Sequence, residues 1–527
     1  MAVNAAQASV KTVADPNASY ESLKPLWNKS RAVCSGERFV KDYDGLIDVM
    51  SFSNLLIPFS PSMSQAQYNF YKAEAELPGI TAQFSKMLVG GLLRKQPILS
   101  FSDRIPSDAH DWIMNSFGKD DATLTTFLDA ALWEEVQTSR AWVFVDYPQI
   151  QNPDSLTKEE IAKYKPYPVL YQAESIINWR VRTNQYGKTV LDRVIVRGFE
   201  EKFDENEFHP TYHDTVWIHE LDENGYYQIR KFARQDAITN VPIIAGQQQK
   251  NPSANKTSFE LVETITNILA NNQRLSEIPA WPLNGSIDAV EPMLSPIIDK
   301  EISLYNKISR RNHLLYSAST YTPVIISDMS DDDFDAIVNG GLGTWIRLRQ
   351  GDDAKVLETP TAALQDMDRA IAAGIEEMAR LGIRMLTPET SQSGVALEIR
   401  NAAQTAQLGT LNNKISSVMR QVIVFMINWR YDLDITVADV AFSLSADFNP
   451  IPLGADWLRL ATEWYQQGLI PRSVWLQILK QNDIVASDYD DKQGLLEING
   501  DTVIANNAAG DQNYAEKMKQ MLDNNVN

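Results

Sequence analysis

Apolar residues recur at helical spacing over several long stretches of the chain. Ile298, Ile302 and Tyr305 lie on one face of a predicted helix from Pro292 to Ser319. The same spacing predicts further helices at Ser64–Ala75, Gly79–Leu93, Thr123–Ser139, Thr361–Arg384 and Val395–Arg430. At a rise of about 1.5 Å per residue, the predicted helices Pro292–Ser319 and Thr361–Arg384 are each about 35 to 40 Å long.

A period of two replaces the helical period between Tyr167 and Arg234, which predicts β-strands. Thr215–Leu221 and Tyr226–Phe232 flank the segment Asp222-Glu223-Asn224-Gly225. Because Asn-Gly readily adopts the positive φ that a tight turn needs, these two strands are predicted to form a hairpin. The short apolar run Ala141–Val145 is predicted to be a β-strand.

A small α/β insert is predicted between the two long helices that begin at Pro292 and Thr361. Its predicted elements are a strand at Thr322–Ile326, a short helix after Ser330, and strands at Thr344–Leu348 and Lys355–Glu358. The chain therefore leaves along one helix, forms a compact insert and returns along another. The predicted fold class is α+β and predominantly helical.

Polar segments separate these elements and begin the chain. The first 30 residues contain Pro16 and Pro25 and predict an arm with little order of its own. Ala245–Thr257 predicts a polar loop, and Thr387–Gly394 predicts a proline-containing connection. No apolar run approaches the roughly 20 residues that span a bilayer, so we expect a protein that is neither secreted nor membrane-spanning.

The charge balance is acidic, with 48 Lys and Arg against 68 Asp and Glu and a formal net charge of −20. Such a balance argues against a protein that grips nucleic acid by neutralising phosphates. The chain has a single cysteine, Cys34, which excludes an intrachain disulfide and fits folding in a reducing cytoplasm.

Two clusters suggest metal binding, and both have simpler explanations. His209, His213 and His219 lie near a strand entry that contains Pro210, without the helical His pair or the cysteines of zinc sites. A second cluster is acidic and lies around Ser330; its members are Asp328, Asp331, Asp332, Asp333 and Asp335. An EF-hand loop requires Gly and Glu where this segment has Asp333 and Asn339, so acids in the first turn of a helix capped by Ser330 explain it better. We therefore predict neither a metal nor a cofactor.

No catalytic motif is recognisable. The glycines Gly340, Gly341 and Gly343 lack the lysine of a phosphate-binding loop, and no Gly-x-Ser-x-Gly motif is present. The sequence therefore predicts a protein that is not an enzyme. The alternative that stays open is an acidic hydrolase whose catalytic carboxylates are not recognisable from their spacing.

The order of long helix, small insert, long helix, polar loop and further long helix resembles the portal proteins of tailed double-stranded DNA bacteriophages. Six segments are similar to one branch of that family: Gln67–Pro97, Ala141–Pro148, Tyr171–Arg180, Glu377–Leu386, Glu398–Leu411 and Gly468–Asn482. They extend over most of the chain from about residue 30 to 500. Val241–Ala289 fits the family pattern poorly, and the two ends match nothing in it.

The resemblance implies a domain organisation. It divides the chain into a flexible arm (1–30), a wing of helices followed by a β-rich part (31–289), a first stem helix (290–319), a clip (320–359), a second stem helix (360–384), a tunnel loop (385–398), a long wing helix with a following strand (399–450), a crown-like helical unit (451–500) and a tail (501–527).

The resemblance also implies a function, which is a ring of about twelve copies at one capsid vertex of the virion. DNA would pass through this ring during packaging and ejection. The implied partners are double-stranded DNA, the large terminase subunit, the major capsid protein or scaffold, and tail or adaptor proteins, with assembly in the host cytoplasm and no membrane. Since a channel of like charge repels the duplex, the acidic balance suits a conduit through which DNA slides.

Three groups of site residues follow from this assignment. Lys307, Arg310 and Arg311 are candidates for facing DNA in the channel, although pairing with acids on a neighbouring helix explains them equally well. The tunnel-loop candidates are Thr387, Pro388, Glu389, Thr390, Ser391, Gln392, Ser393 and Gly394, for which a plain helix connection is the alternative. The clip candidates for partner docking are Asp331, Asp332, Asp333, Trp345, Arg347 and Arg349.

Overall fold

The structure of the protein is a computed structural model. It describes residues 12–46, 55–148, 164–183, 187–202, 211–234, 259–270, 273–319, 322–326, 353–357, 362–381, 394–445 and 455–481, together with residues 157, 330, 335, 351, 484 and 485.

Helices dominate both ends of the described chain. The α-helices are α1 (Ala18–Ser35), α2 (Glu37–Leu46), α3 (Gln65–Glu74), α4 (Ile80–Leu92), α5 (Asp108–Asn115), α6 (Leu124–Thr138), α7 (Ser295–Ser319), α8 (Ala362–Leu381), α9 (Gly394–Tyr431), α10 (Ala455–Gln466) and α11 (Arg472–Gln481).

Strands occupy mainly the middle of the chain. They are β1 (Ile98–Phe101), β2 (Trp142–Asp146), β3 (Tyr167–Tyr171), β4 (Ile176–Thr183), β5 (Thr189–Lys202), β6 (Thr211–Leu221), β7 (Tyr227–Ala233), β8 (Glu260–Ile265), β9 (Leu269–Ala270), β10 (Gln273–Arg274), β11 (Ala280–Pro282), β12 (Thr322–Ile326), β13 (Asp353–Leu357) and β14 (Val440–Ser443). Strands β4 to β8 form an antiparallel five-stranded sheet in sequence order, and β2 lies between β11 and β3 in a three-stranded sheet. β1 pairs with β14 and β12 pairs with β13. The predicted α+β class is confirmed.

Local sequence signals account for the helices that were predicted correctly. Ser64 accepts a hydrogen bond from the Gln67 amide, while the Gln67 side chain accepts one from the Ser64 amide, which is a capping box at the start of α3. Thr123 caps α6 in the same way by accepting from the amide of Thr126. The predicted hairpin is also present, with β6 and β7 joined through Gly225 at a φ of 82°.

The prediction of a disordered arm over residues 1–30 was wrong from Ala18 onward. Asn17 caps α1 by accepting from the amide of Ser19, and Pro25 lies within the helix. Tyr20 and Trp27 are buried in the core of the β-rich part, and Tyr20 donates to the carbonyl of Glu174. Two aromatic anchors on a mainly polar segment therefore order it, because they bury a large apolar area.

Two hydrophobic cores lie on either side of strand β2. Val143 and Val145 pack into a core built from the helices, whereas Trp142 and Phe144 pack into the core of the sheets. Successive side chains of a strand point to opposite faces, so one five-residue strand contributes to both cores.

By its contacts the chain divides into two compact units, residues 1–448 and 449–527. Both cores belong to the first unit. In the second unit, α10 and α11 pack through the stacked rings of Tyr465 and Trp475, whose centroids are 4.8 Å apart. Among the residues that the structure describes, no helix is both long enough and apolar enough to cross a membrane.

Candidate functional site: the paired helices α7 and α8

Helices α7 and α8 lie side by side and run in opposite directions. Lys300 Nζ lies 2.6 Å from Glu377 Oε1, and Arg311 Nε lies 2.5 Å from Asp368 Oδ1. The residue numbers on α8 fall as those on α7 rise, so the two helices are antiparallel. Both ion pairs are partly exposed and each contributes at most about 1 kcal/mol, so they report the pairing more than they cause it.

The two helices approach most closely at Gly374. A Cβ atom built on this glycine would lie 2.6 Å from Leu304 Cδ2, so the absence of a side chain allows the contact. Leu304 is buried, and Met378 is buried one turn further along α8. Small residues at such a crossing let two helix backbones pack closely.

A buried carboxylate fixes the first half of α7 to helix α4. Glu301 is fully buried, and its two oxygens accept hydrogen bonds from the amides of Ile80 (2.8 Å) and Thr81 (2.7 Å). These amides belong to the first turn of α4, where they have no partner within the helix. The negative charge also faces the positive end of the helix dipole, so this contact from one helix caps another.

A buried amide makes a second attachment one turn further along α7. Asn306 accepts from the amide of Ile57 at 2.7 Å and donates to the carbonyls of Leu55 (2.7 Å) and Ile302 (2.8 Å). Buried hydrogen bonds of Glu301 and Asn306 therefore hold the first half of α7 in one position against α4 and the segment Leu55–Ile57.

Burial along the pair ends well before the helices do. The side chains of α7 that are buried lie at or before Ser309, and those of α8 at Gly374 and Met378. Beyond Ser309, the side chains of α7 that the structure describes are exposed or only half-buried. The outer half of the pair is therefore less buried than its base, although α3 still packs against it, with the Tyr71 and His313 rings 5.3 Å apart. At the end of the pair, β12 and β13 pair in antiparallel register from Thr322 with Leu357 to Ile326 with Asp353.

One face of α7 is open to solvent between Asp299 and Arg310. Asp299, Ser303, Lys307 and Arg310 are exposed, and their spacing of four, four and three residues places them on one stripe. Asp299 pairs with Lys29 at 2.7 Å at the inner end. Two cations, Lys307 and Arg310, occupy the outer end of this stripe.

The three cations predicted to face DNA thus have different surroundings. Arg311 pairs with Asp368 on the neighbouring helix, as the alternative interpretation expected. Arg310 lies near the Tyr71 hydroxyl; burial raises the pKa of Tyr71, and the arginine charge partly opposes that rise. Within the described part of the chain, Lys307 has no ion-pair partner.

The other predicted site residues fall largely outside the described residues. These are Asp331, Asp332, Asp333, Trp345, Arg347 and Arg349 in the insert, and Thr387 to Ser393 in the loop after α8. Gly394 is described, and it is the first residue of α9, so the predicted tunnel loop of 385–398 extends too far by the five residues 394–398. Of the insert's predicted elements, the strand Thr344–Leu348 also lies outside the described residues, whereas the outer strands are present.

Helix α9, which follows the pair in sequence, is anchored deeply in the helical core. Its 38 residues correspond to a length of about 57 Å. Ile415, Met419, Val422 and Met426 are fully or almost fully buried at helical spacing. Near its end, Asn428 exchanges two hydrogen bonds with the backbone of Ile435.

Sequence reasoning missed a group of buried charges at the junction of the two cores. Arg31 on α1 donates to both Glu134 on α6 and Glu174 after β3, with nitrogen–oxygen distances of 2.5 to 2.7 Å. Burial raises the pKa of the neighbouring Glu135 to about 7, although its carboxylate accepts from the amide of Ala141. These long-range partners have no local sequence signal.

The histidine cluster does not come together as a site. His219 is buried, and its Nδ1 lies 2.6 Å from the Tyr227 hydroxyl, while burial lowers its pKa to about 3. His213 is half-buried further along β6, and His209 lies outside the described residues. The part of the chain that the structure describes contains no group of three or more His, Cys, Asp or Glu side chains that could hold a metal ion.

Comparisons with known proteins give limited matches. The model of a family described as a domain of unknown function (DUF4055) matches residues 293–430, the segment from α7 to α9. No curated protein matches the chain.

Two solved structures contain chains that are similar to this one. One is titled "Virion of native gene transfer agent (GTA) particle", with 8% identity, a TM-score of 0.34, and coverage of 74% of this chain and 85% of the other. The second is titled "Neck of empty GTA particle computed with C6 symmetry", with 10% identity, a TM-score of 0.38, and coverage of 76% and 89%. At these identities and TM-scores, neither likeness establishes a function for this chain.

Proposed function

We propose that this chain is the portal protein of a tailed double-stranded DNA bacteriophage, one of about twelve copies in a ring through which DNA enters and leaves the capsid. The observation that carries the proposal is the helix pair α7 and α8. It is anchored to the body at its base, becomes less buried toward its outer end, leads into an insert that contains the strand pair β12 and β13, and is followed by the long core helix α9. In this proposal α7 and α8 are the stem, residues 320–359 the clip, and 385–393 the tunnel loop.

The rigid base supports this assignment. A stem that lines a channel must keep its position while a long polyanion moves past it. Glu301 and Asn306 fix α7 to α4 and to the segment Leu55–Ile57 through buried hydrogen bonds. Buried polar contacts of this kind are costly to break, because each unpaired group would lose its partner without gaining water.

The charge of the chain supports a conduit more than a clamp. Twelve copies at −20 each would carry about −240 formal charges around a polyanion, which disfavours tight binding. Lys307 and Arg310 are the cations on the open stripe of α7 and remain the candidates for touching DNA. Arg311 is a weaker candidate, because its charge is already paired with Asp368.

The hydrolase alternative gains no support from the described carboxylates. Three deeply buried carboxylates, Glu134, Glu135 and Glu301, hold Arg31 or backbone amides in closed environments. A hydrolase needs two carboxylates at a fixed separation in an open cleft.

Electron microscopy of the purified full-length protein tests the proposal. We expect rings of about twelve copies with a central channel. A protein that stays monomeric across a range of salt and concentration would contradict it.

A packaging assay with Lys307→Ala and Arg310→Ala variants tests the channel cations. Both variants are expected to form rings and to change the rate of DNA passage, whereas Lys119→Ala, an exposed cation beyond α5, serves as the control and is expected to leave that rate unchanged.

A further inference from the structure

A fully buried arginine lies among three tryptophans at the junction of α6 and β2. Arg140 is 0% exposed, and its guanidinium carbon lies 4.2 Å from the ring centroid of Trp179, 5.6 Å from that of Trp142 and 5.8 Å from that of Trp27. The three rings belong to β4, β2 and α1. Contacts between a guanidinium and aromatic rings are favourable, but they do not satisfy the N–H donors of the guanidinium.

The buried hydrogen-bond donors of this cluster outnumber its acceptors. Arg140 Nη1 donates to the carbonyl of Ile287 at 3.3 Å, whereas Arg140 Nε and Nη2 have no acceptor among the described residues. The indole Nε1 atoms of Trp27 and Trp142 are also buried without an acceptor in the described part of the chain. Trp179 differs, because its Nε1 donates to Asp288 Oδ1 at 3.2 Å. Buried polar groups are normally hydrogen-bonded, so these donors call for a ligand that accepts.

The cluster also carries a positive charge that has no hydrogen-bonded counter-ion. Burial lowers the pKa of Arg140 to about 10, which leaves its side chain charged at neutral pH. Asp288 and Glu135 partly oppose this shift, but Asp288 is exposed and Glu135 is itself about half protonated at pH 7. Neither carboxylate accepts a hydrogen bond from Arg140. Because an uncompensated charge is costly to bury, an anion beside the guanidinium is stabilising.

We propose that Arg140, Trp27 and Trp142 bind one small monovalent anion, for which chloride is the abundant physiological candidate. An anion accepts hydrogen bonds and donates none, so it matches a group of donors that lack acceptors. A water molecule would add two O–H donors to the same group. A doubly charged oxyanion fits less well among indole rings, because removing it from water costs far more than removing a halide. This site is independent of the proposed ring.

The bound anion stabilises a junction that lies close to the start of α7. Arg140 follows Ser139, whose φ of 54° is left-handed. The Ser139 hydroxyl accepts from the amide of Met293 at 2.9 Å, and its carbonyl accepts from the side chain of Asn284 at 2.6 Å. An anion held by α1, β2 and the residue after Ser139 therefore supports the turn against which the segment before α7 is fixed.

Thermal unfolding of the full-length protein in sodium fluoride, chloride and bromide at equal ionic strength tests the site. Chloride and bromide are expected to raise the Tm by about 3 °C in a saturable way, relative to the strongly hydrated fluoride. The line width of the chloride NMR signal is a second readout, which binding broadens and added bromide narrows by competition. An equal Tm in all three salts would overturn the proposal, because it would show a general effect of ionic strength.

Conservative substitutions identify the donors. Arg140→Met keeps a long side chain without its charge and is expected to abolish both the chloride dependence of the Tm and the broadening of the chloride signal. Trp27→Phe and Trp142→Phe each keep an aromatic ring and remove one N–H donor. Each is expected to weaken chloride binding by about tenfold. If Arg140→Met does not fold, the two tryptophan variants decide the question.

Trp112→Phe is the matched control. Trp112 Nε1 is also buried without an acceptor among the described residues, but this tryptophan lies in the helical core beside Arg430, which pairs with Asp108. Chloride binding should be unchanged in this variant. Chloride binding that survives in Arg140→Met, or that weakens equally in Trp112→Phe and the other two tryptophan variants, would overturn the proposal and leave water as the ligand of these donors.

Discussion

Buried ionisable side chains carry the most specific information at the scale of single residues. Glu135 on α6 and His219 on β6 are both buried, and burial raises the pKa of Glu135 and lowers that of His219. A group whose pKa differs between folded and unfolded states makes the free energy of unfolding depend on pH. Each therefore gives a pH window that can be measured.

Glu135→Gln is expected to flatten the pH dependence of stability in the neutral range. The folded pKa of about 7 lies above the ordinary 4.5, so the folded state holds a proton that the unfolded state loses. Stability from this proton is complete below about pH 4.5 and is lost as the pH rises through 7, which amounts to roughly 3 kcal/mol. Glutamine keeps an oxygen for the Ala141 amide and cannot ionise.

Urea unfolding at pH 5 and pH 8 measures this effect for the Glu135→Gln protein. Asp129→Asn, on the exposed side of the same helix α6, is the control. An unchanged difference between the two pH values in Glu135→Gln would contradict the assignment.

His219→Asn is expected to reduce acid destabilisation. The folded pKa of about 3 lies below the ordinary 6.5, so the unfolded state binds a proton that the folded state excludes. Stability is therefore full above about pH 6.5 and falls as the pH drops toward 3. Asparagine offers Tyr227 a polar atom near the position of Nδ1 without a titrating ring.

Thermal unfolding between pH 7.5 and 4.5 measures the acid effect, and His213→Asn on the same strand is the control. If wild type and His219→Asn lose stability equally on acidification, another group is responsible.

At the scale of helices and strands, the sequence predicted the position of α7 but not the residues that hold it in the fold. Its periodic apolar residues predicted the helix, and the structure begins it three residues later than predicted. Periodic apolar residues also predicted α8 and α9, and the ends of these helices differ from the predicted ends by no more than three residues. Periodicity could not predict which element each helix face packs against, because a contact between residues distant in sequence leaves no local pattern.

Glu301→Ala is expected to lower the free energy of unfolding by about 2 to 4 kcal/mol, because it leaves the buried amides of Ile80 and Thr81 without acceptors. Glu301→Gln should lose less, since one oxygen remains. Chemical denaturation of both variants measures the difference. Equal losses in the two variants would show that packing, and not the hydrogen bonds, matters at this position.

Gly374→Val is expected to destabilise the pair of α7 and α8 by about 1 to 3 kcal/mol, because its side chain would meet Leu304. Gly374→Ala should have a smaller effect, since the gain in helix propensity of up to about 1 kcal/mol offsets part of the contact. Hydrogen exchange along α8 checks both. Equal protection in the valine variant and the wild type would contradict the close approach.

The chain divides into a first unit, residues 1–448, that contains both hydrophobic cores, and a second unit, residues 449–527, whose described residues include helices α10 and α11. A chain truncated after Phe448 keeps every residue of those cores. Its main thermal transition is therefore expected at nearly the same Tm as in the full-length protein. A truncated protein that unfolds at a much lower temperature would show that residues 449–527 stabilise the first unit.

The sequence by itself determined the class of the fold, most helix and strand positions, the β6–β7 hairpin and the order of elements that resembles a portal protein. These properties depend on spacing and turn chemistry between near neighbours. It failed at α1, because two buried aromatic side chains order a segment that is mostly polar. Only the tertiary structure decided that Glu301 caps α4, that Arg311 is paired while Lys307 and Arg310 remain exposed, and that β2 separates two cores. Each of these depends on which distant side chains the folded chain brings together, and no local pattern records that choice.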